Sequence, residues 1–318
     1  MRRAVIALLA VVSASSAAAP VRSPGNPLIG NEIGVDHILL WSKDSRAGEA
    51  ALDRLGFTLT EKPGSYGAGI SNKLVWFGNW SFIEFLWLSD PARAKAEAAK
   101  EHAFATTTNG SNGFGISVRD ADETYRTLAA ARLDPDQPGA EAYDPDGPGG
   151  PKPPVVNQWR FMFLKDGALA GNPFFVEYKT KAQGERSERH PNGARRLSAV
   201  WILVDDAAKA AADYAGAAFH GGRRIESASL GLTGVALVAG QGEIFLLQPG
   251  RAGVYRKALQ RRGAHVFGIS VQVSDLNATQ QFLQARLGSV LRQHSGPYRR
   301  ALIPPVQPPL GLTIAFHD

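Results

Sequence analysis

The chain has 318 residues, 44% of them hydrophobic, and carries a formal charge of +6 from 35 basic and 29 acidic side chains. That is apolar material enough for two domains of ordinary size, and it excludes an intrinsically disordered chain. Cysteine is absent, which excludes disulfides, thiolate metal sites and a cysteine nucleophile, so any metal must be held by histidine and carboxylate.

The chain opens on "MRRAVIALLAVVSASSAAAP": two arginines, a short apolar run, then small residues, the order of a secretory signal. Residues 1–19 are read as that signal, with cleavage after Ala18 and a periplasmic or secreted product. The apolar run is far shorter than the ~20 residues that span a bilayer, so no membrane span is expected after cleavage.

Next come four related units, starting near Gly34, Asn112, Arg196 and Gly263. The pentapeptide "FGISV" stands at Phe114 to Val118 and again at Phe267 to Val271, followed in both places by a helical stretch ending in "ARL". A weaker pair, "DHILLWSKD" from Asp36 and "SAVWILVDD" from Ser198, sits upstream. Each unit opens with an apolar, β-branched run closed by an aspartate, a natural N-cap for the helix that follows. Strand-like segments come after, among them "KLVWFG", "FIEFLWL", "QWRFMFL" and "PFFVEY". The pattern predicts βαβββ four times, an α+β chain with one pair of units over 33–182 and another over 195–318.

The Pro- and Gly-rich run from Tyr143, "YDPDGPGGPKPPVVNQ", is incompatible with a continuous helix or central strand and reads as a lid or a surface excursion. The hydrophilic run from Lys179 separates the halves. The densest basic stretch, "YRKALQRRGAH" from Tyr255, has helical spacing and reads as a solvated face, so no nucleic acid partner is expected.

Four βαβββ units, "DHI" in the first strand and a glutamate inside an apolar fourth strand together resemble the vicinal oxygen chelate superfamily, which includes glyoxalase I and extradiol dioxygenases. The runs "SNKLVWFGNWSFIEFLWLSDP" from Ser71, "NPFFVEYKT" from Asn172 and "HPNGA" from His190 resemble its glyoxalase-like branch. The resemblance implies two modules paired into a curled sheet that cups one divalent metal ion, with ligands from first and fourth strands. Carried across, the ligands are His37, Glu84 and Glu177. The matching slot of the second unit falls on Gly113 or Gly115, and the second half offers Ala199 and Phe245 or Leu246 in place of His37 and Glu84, so any metal site belongs to the first half.

A carboxylate inside "FIEF" or "FVEY" needs a cation, a donor or water, because desolvating its charge costs several kcal/mol or raises its pKa. For each glutamate the alternative to a metal is a plain partner: Arg160 or main-chain N–H groups, or Asn72. One imidazole and two carboxylates suit Zn, Ni, Mn, Fe or Mg. Such a metal polarises a carbonyl while Glu177 or Glu84 serves as base. Trp41, Trp76, Arg160 and His102 are the candidate substrate contacts. The expected function is an exported, metal-assisted lyase or isomerase of a small carbonyl or hydroxy-ketone compound, acting as monomer or homodimer. The alternative is a small-molecule binding or sequestering protein without catalysis.

Overall fold

The computed structural model describes residues 26–318 except 31, 144–154, 180–186, 221, 295–296 and 299. The expected signal over 1–19, the middle of the Pro- and Gly-rich run and residues 180–186 of the hydrophilic run therefore lie outside the described residues.

The first unit runs β1 (Val35–Trp41), α1 (Ser45–Arg54), β2 (Gly64–Gly67), β3 (Ile70–Trp76) and β4 (Phe82–Leu88). Two short helices, α2 (Pro91–Glu97) and α3 (Ala99–Thr107), lead into β5 (Gly110–Ser117), α4 (Ala121–Ala130), β6 (Gly139–Tyr143), β7 (Val155–Met162) and β8 (Pro173–Tyr178). The third unit is β9 (Ala194–Leu203), α5 (Ala207–Ala215), β10 (Arg223–Ser227), β11 (Leu232–Ala239) and β12 (Gly242–Pro249). After α6 (Val254–Arg262) the fourth is β13 (His265–Val273), α7 (Leu276–Leu287), β14 (Gln293–His294), β15 (Ala301–Leu302) and β16 (Thr313–His317). The tail of the Pro-rich run, from Val155, is thus part of a strand rather than of a loop.

These strands form two eight-stranded sheets with one order, β2-β3-β4-β1-β5-β8-β7-β6 and β10-β11-β12-β9-β13-β16-β15-β14. In each, two units meet where their first strands run antiparallel, β1 against β5 and β9 against β13, while first and fourth strands of a unit pair in parallel. The aspartates do what the pattern predicts: Asp44, Asp120, Asp206 and Asp275 accept from main-chain N–H groups opening α1, α4, α5 and α7, each cap contributing about 1 kcal/mol.

The two faces of each sheet differ. On the back face Ile38, Leu40 and Phe85 join Ala51 and Leu52 of α1 in a core that continues into the second half through Val200, Ile202 and Phe316. Phe57 stacks on Phe316 with centroids 5.8 Å apart, so the halves share one interior. On the front face of the first sheet Leu39, Trp41, Leu86 and Phe174 form a smaller cluster under Ala94 of α2 and Ala105 of α3. His37 and Glu84 lie on this front face, two residues along their strands from Leu39 and Leu86.

Candidate functional site

Strand pairing sets His37 opposite Phe82 and Leu39 opposite Glu84, which brings imidazole and carboxylate together on the front face. His37 Nε2 and Glu84 Oε2 stand 3.7 Å apart, and only 6% of either residue is exposed. Neither end is loose. His37 Nδ1 donates to Asp36 Oδ1 at 2.6 Å, and Asn72 Nδ2 donates to Glu84 Oε1 at 2.7 Å. In the neutral imidazole this places the proton on Nδ1 and leaves Nε2 as acceptor, facing the unclaimed carboxylate oxygen.

The second partner of Asp36 Oδ1 is the hydroxyl of Tyr178, which donates at 2.8 Å. Asp36 is fully buried, and its Oδ2 has no partner among the described residues, a state that costs about 1–3 kcal/mol. Burial raises the pKa of Glu84, opposed by His37 and Asn72 and reinforced by Asp36. Burial, then Asp36 and Glu84, push the Tyr178 phenol well above its ordinary range. The imidazole is fixed further by stacking on Phe82 at 4.3 Å and by the edge of Phe174 at 5.1 Å.

The glycine of "FGISV" belongs to this arrangement. A Cβ on Gly115 would lie 2.7 Å from His37 Cε1, so a side chain there would displace the ring. The slot equivalent to His37 in the second unit is Gly113, counted from the cap at Asp120 as His37 is counted from Asp44, and it offers no donor.

Glu177 does not join His37 and Glu84. Pairing of β5 with β8 sets Phe174 at the position matching Glu84, so Glu177 lies three residues further along and on the back face. There it accepts from Ala121 N at 3.2 Å, is paired with Lys179, and lies 3.9 Å from Arg160 Nη1. Arg160 points the same way and makes two 2.8 Å bonds to Asp122, which removes it from the substrate side. The plain-partner alternative describes both glutamates' hydrogen bonds.

Of the other candidates, Trp41 is buried in the front cluster with Nε1 bonded to Asn112 Oδ1 at 2.9 Å. Trp76 packs on Phe82 at 4.5 Å and so stands one ring from His37. His102 sits on α3, the helix whose Ala105 packs on the front cluster.

Among the described residues no three His, Asp or Glu side chains are placed to hold one metal ion. The residues present therefore do not fit the three-donor cage that the resemblance implies: His37 Nε2 and Glu84 Oε2 remain as two donors.

Residue reasoning missed Asp36 and Tyr178. Strand alternation assigns Asp36 to the back, but the register of β1 against β5 shifts between Val35 and His37, letting its carboxylate reach the His37 ring. Tyr178 follows Glu177 in "FVEY", and alternation alone would have put tyrosine on the front had the register been known.

In the second half the matching positions hold another polar couple. Ser198, in the slot of Asp36, lies 2.6 Å from Nε2 of His317, in the slot of Tyr178. Tyr298 stacks on His317 at 3.7 Å. Burial pushes His317 down to about 4 and Tyr298 up to about 12. Ala199 and Phe245 replace His37 and Glu84, leaving an apolar front cluster with Trp201 and Phe267.

Two curled sheets of paired βαβββ units, with a histidine and a glutamate side by side on the front of the first, define a protein of the vicinal oxygen chelate fold. Residues 35–218 match the model of the glyoxalase-like domain family, and the chain belongs to that family. Solved structures agree on the fold. A mutant of 4-hydroxymandelate synthase from Streptomyces coelicolor superposes with a TM-score of 0.61 at 11% identity over 89% of this chain and 91% of its own. A hypothetical protein from Staphylococcus aureus gives 0.52 at 14% identity over 89% and 98%. A xylose isomerase-like TIM barrel/4-hydroxyphenylpyruvate dioxygenase fusion protein gives 0.53 at 15% over 83% and 40%. No curated protein shows significant sequence similarity to the chain.

Proposed function

We propose that the first half binds a small carbonyl or hydroxy-ketone compound and moves a proton next to its carbonyl, as a lyase or isomerase. One observation carries the reading: His37 Nε2 and Glu84 Oε2 face each other across 3.7 Å while their other ends are held by Asp36 and Asn72. A basic nitrogen and a carboxyl of raised pKa, side by side on one face, suit a substrate that lies over both, gives a proton to one and takes one from the other. His37 takes the carbon-bound proton at Nε2, Asp36 stabilises the resulting imidazolium, and Glu84 donates to the carbonyl oxygen. Phe82, Phe174 and Trp76 exclude water around the ring.

Export to the periplasm or beyond belongs to this proposal and rests on the leader sequence; cell fractionation of the tagged full chain tests it.

Solvent exchange tests the chemistry. Hydroxyacetone and ω-hydroxyacetophenone incubated with the protein in D2O are expected to gain deuterium next to the carbonyl, and His37→Ala is expected to abolish the gain. The missing third donor favours a second reading, small-molecule capture without turnover. Saturable binding of these ketones without any exchange selects that reading and overturns the first.

A further inference from the structure

A cavity of about 620 Å³ opens beside the site at the seam of the two halves, within the ~300–1,000 Å³ range of small-molecule sites. Asn79, Trp80, Ser117, Arg119 and Tyr178 line it from the first half and Gln241 from the second. Two routes join it to the proton-transfer pair. Tyr178 reaches Asp36 through its hydroxyl. Trp80 sets its ring on Trp76 at 6.3 Å, Trp76 packs on Phe82, and Phe82 stacks on His37.

The part played by the second half is built into the backbone. Gln241 N donates to the carbonyls of Glu32 and Ile33 at 2.8 and 3.2 Å, docking the β11–β12 turn on the segment that leads into Asp36. Gly34 and Gly240 have φ of +73° and +60°, and a Cβ on either would overlap main-chain atoms of the other segment. Only glycine at both positions allows this approach.

The lining offers several donors beside one carboxylate, Glu32. Asn79 Oδ1 accepts from Ser81 N and Oγ, so its amide nitrogen is the end left to donate. Arg119 gives a guanidinium N–H to the carbonyl of Pro27 and keeps further donors of its fork. Gln241 bonds through its main chain, leaving its side-chain amide to the cavity. Trp80 adds a flat indole, held at φ +72° where a bulky residue is strained.

We propose that this seam is a ligand-binding pocket adjoining the proton-transfer pair and that its ligand is a planar, oxygenated aromatic compound, the ring against Trp80 and the oxygens toward Asn79, Arg119 and Gln241. The proposal rests on reading the first front face as a small-molecule site, and it gives the second half, through Gln241, a share in the pocket that adjoins that site.

The test is titration of the full chain with 6-hydroxy-2-naphthoate, followed by energy transfer from tryptophan. Saturable binding is expected, weakened roughly tenfold or more by Gln241→Ala with no change in unfolding midpoint, and weakened also by Trp80→Gly. Equal affinity in the wild type and Gln241→Ala overturns the shared pocket. Absence of saturable binding at millimolar probe overturns the ligand class. Deuterium exchange is measured without this probe, so either failure leaves the proton-transfer reading to stand or fall separately.

Discussion

At the scale of single residues, two glutamates that look alike in the sequence have different tasks. Both sit inside apolar strands, and the chemistry of burial said only that each needs a partner. Which partner depends on register: Glu84 shares the front with His37, whereas Glu177 falls three positions beyond the matching slot and meets Lys179, Arg160 and the start of α4. Glu177→Gln is expected to cost about 1–2 kcal/mol of stability through the lost charged partners, read by urea unfolding. Histidine burial gives a second prediction. His317 titrates at about 4 in the folded chain and near 6.5 when unfolded. Its neutral form is therefore the one folding favours, and the stability it contributes is fully present above pH 6.5 and lost as pH falls toward 4. The loss is on the order of 3 kcal/mol. His317→Asn is expected to flatten the dependence of unfolding free energy on pH across that window.

At the scale of elements, the sequence was most legible where repetition and capping agree. Strand, aspartate cap and helix recur four times because the cap stops the strand and starts the helix in three residues, and those units appear in the structure in that order. Pairing between distant strands was not legible, since one residue of slip exchanges the faces. The shift between Val35 and His37 is such a place, and it decides whether Asp36 can reach the imidazole. The docking of the β11–β12 turn was equally hidden: Gly34 and Gly240 read as ordinary turn glycines until the two segments are seen to touch. Gly240→Ala meets both a left-handed φ and a main-chain clash, and is expected to destabilise the protein by roughly 2 kcal/mol or more, with a fall in the midpoint of thermal unfolding as the readout.

At the scale of the molecule, duplication explains why one chain repeats its strands. The halves share a back-face core, so unfolding is expected to be a single cooperative transition by calorimetry, and two separated transitions would contradict the shared core. The front faces are where the halves diverge. The first keeps Tyr178, Asp36, His37 and Glu84 in one chain of contacts, while the second keeps Ser198 and His317 and fills the remaining slots with Ala199 and Phe245. Fold and family could be read from the repeat and the strand motifs, but the division of labour between the two faces needed the register. The central claim is that proton transfer belongs to the front pair and not to Glu177. Its most direct test compares deuterium incorporation into ω-hydroxyacetophenone by the wild type, Glu84→Gln and Glu177→Gln, each normalised to folded protein. The account expects Glu84→Gln to lose roughly a hundredfold or more and Glu177→Gln to keep the wild-type rate; an equal loss in both variants, or a loss confined to Glu177→Gln, would contradict it.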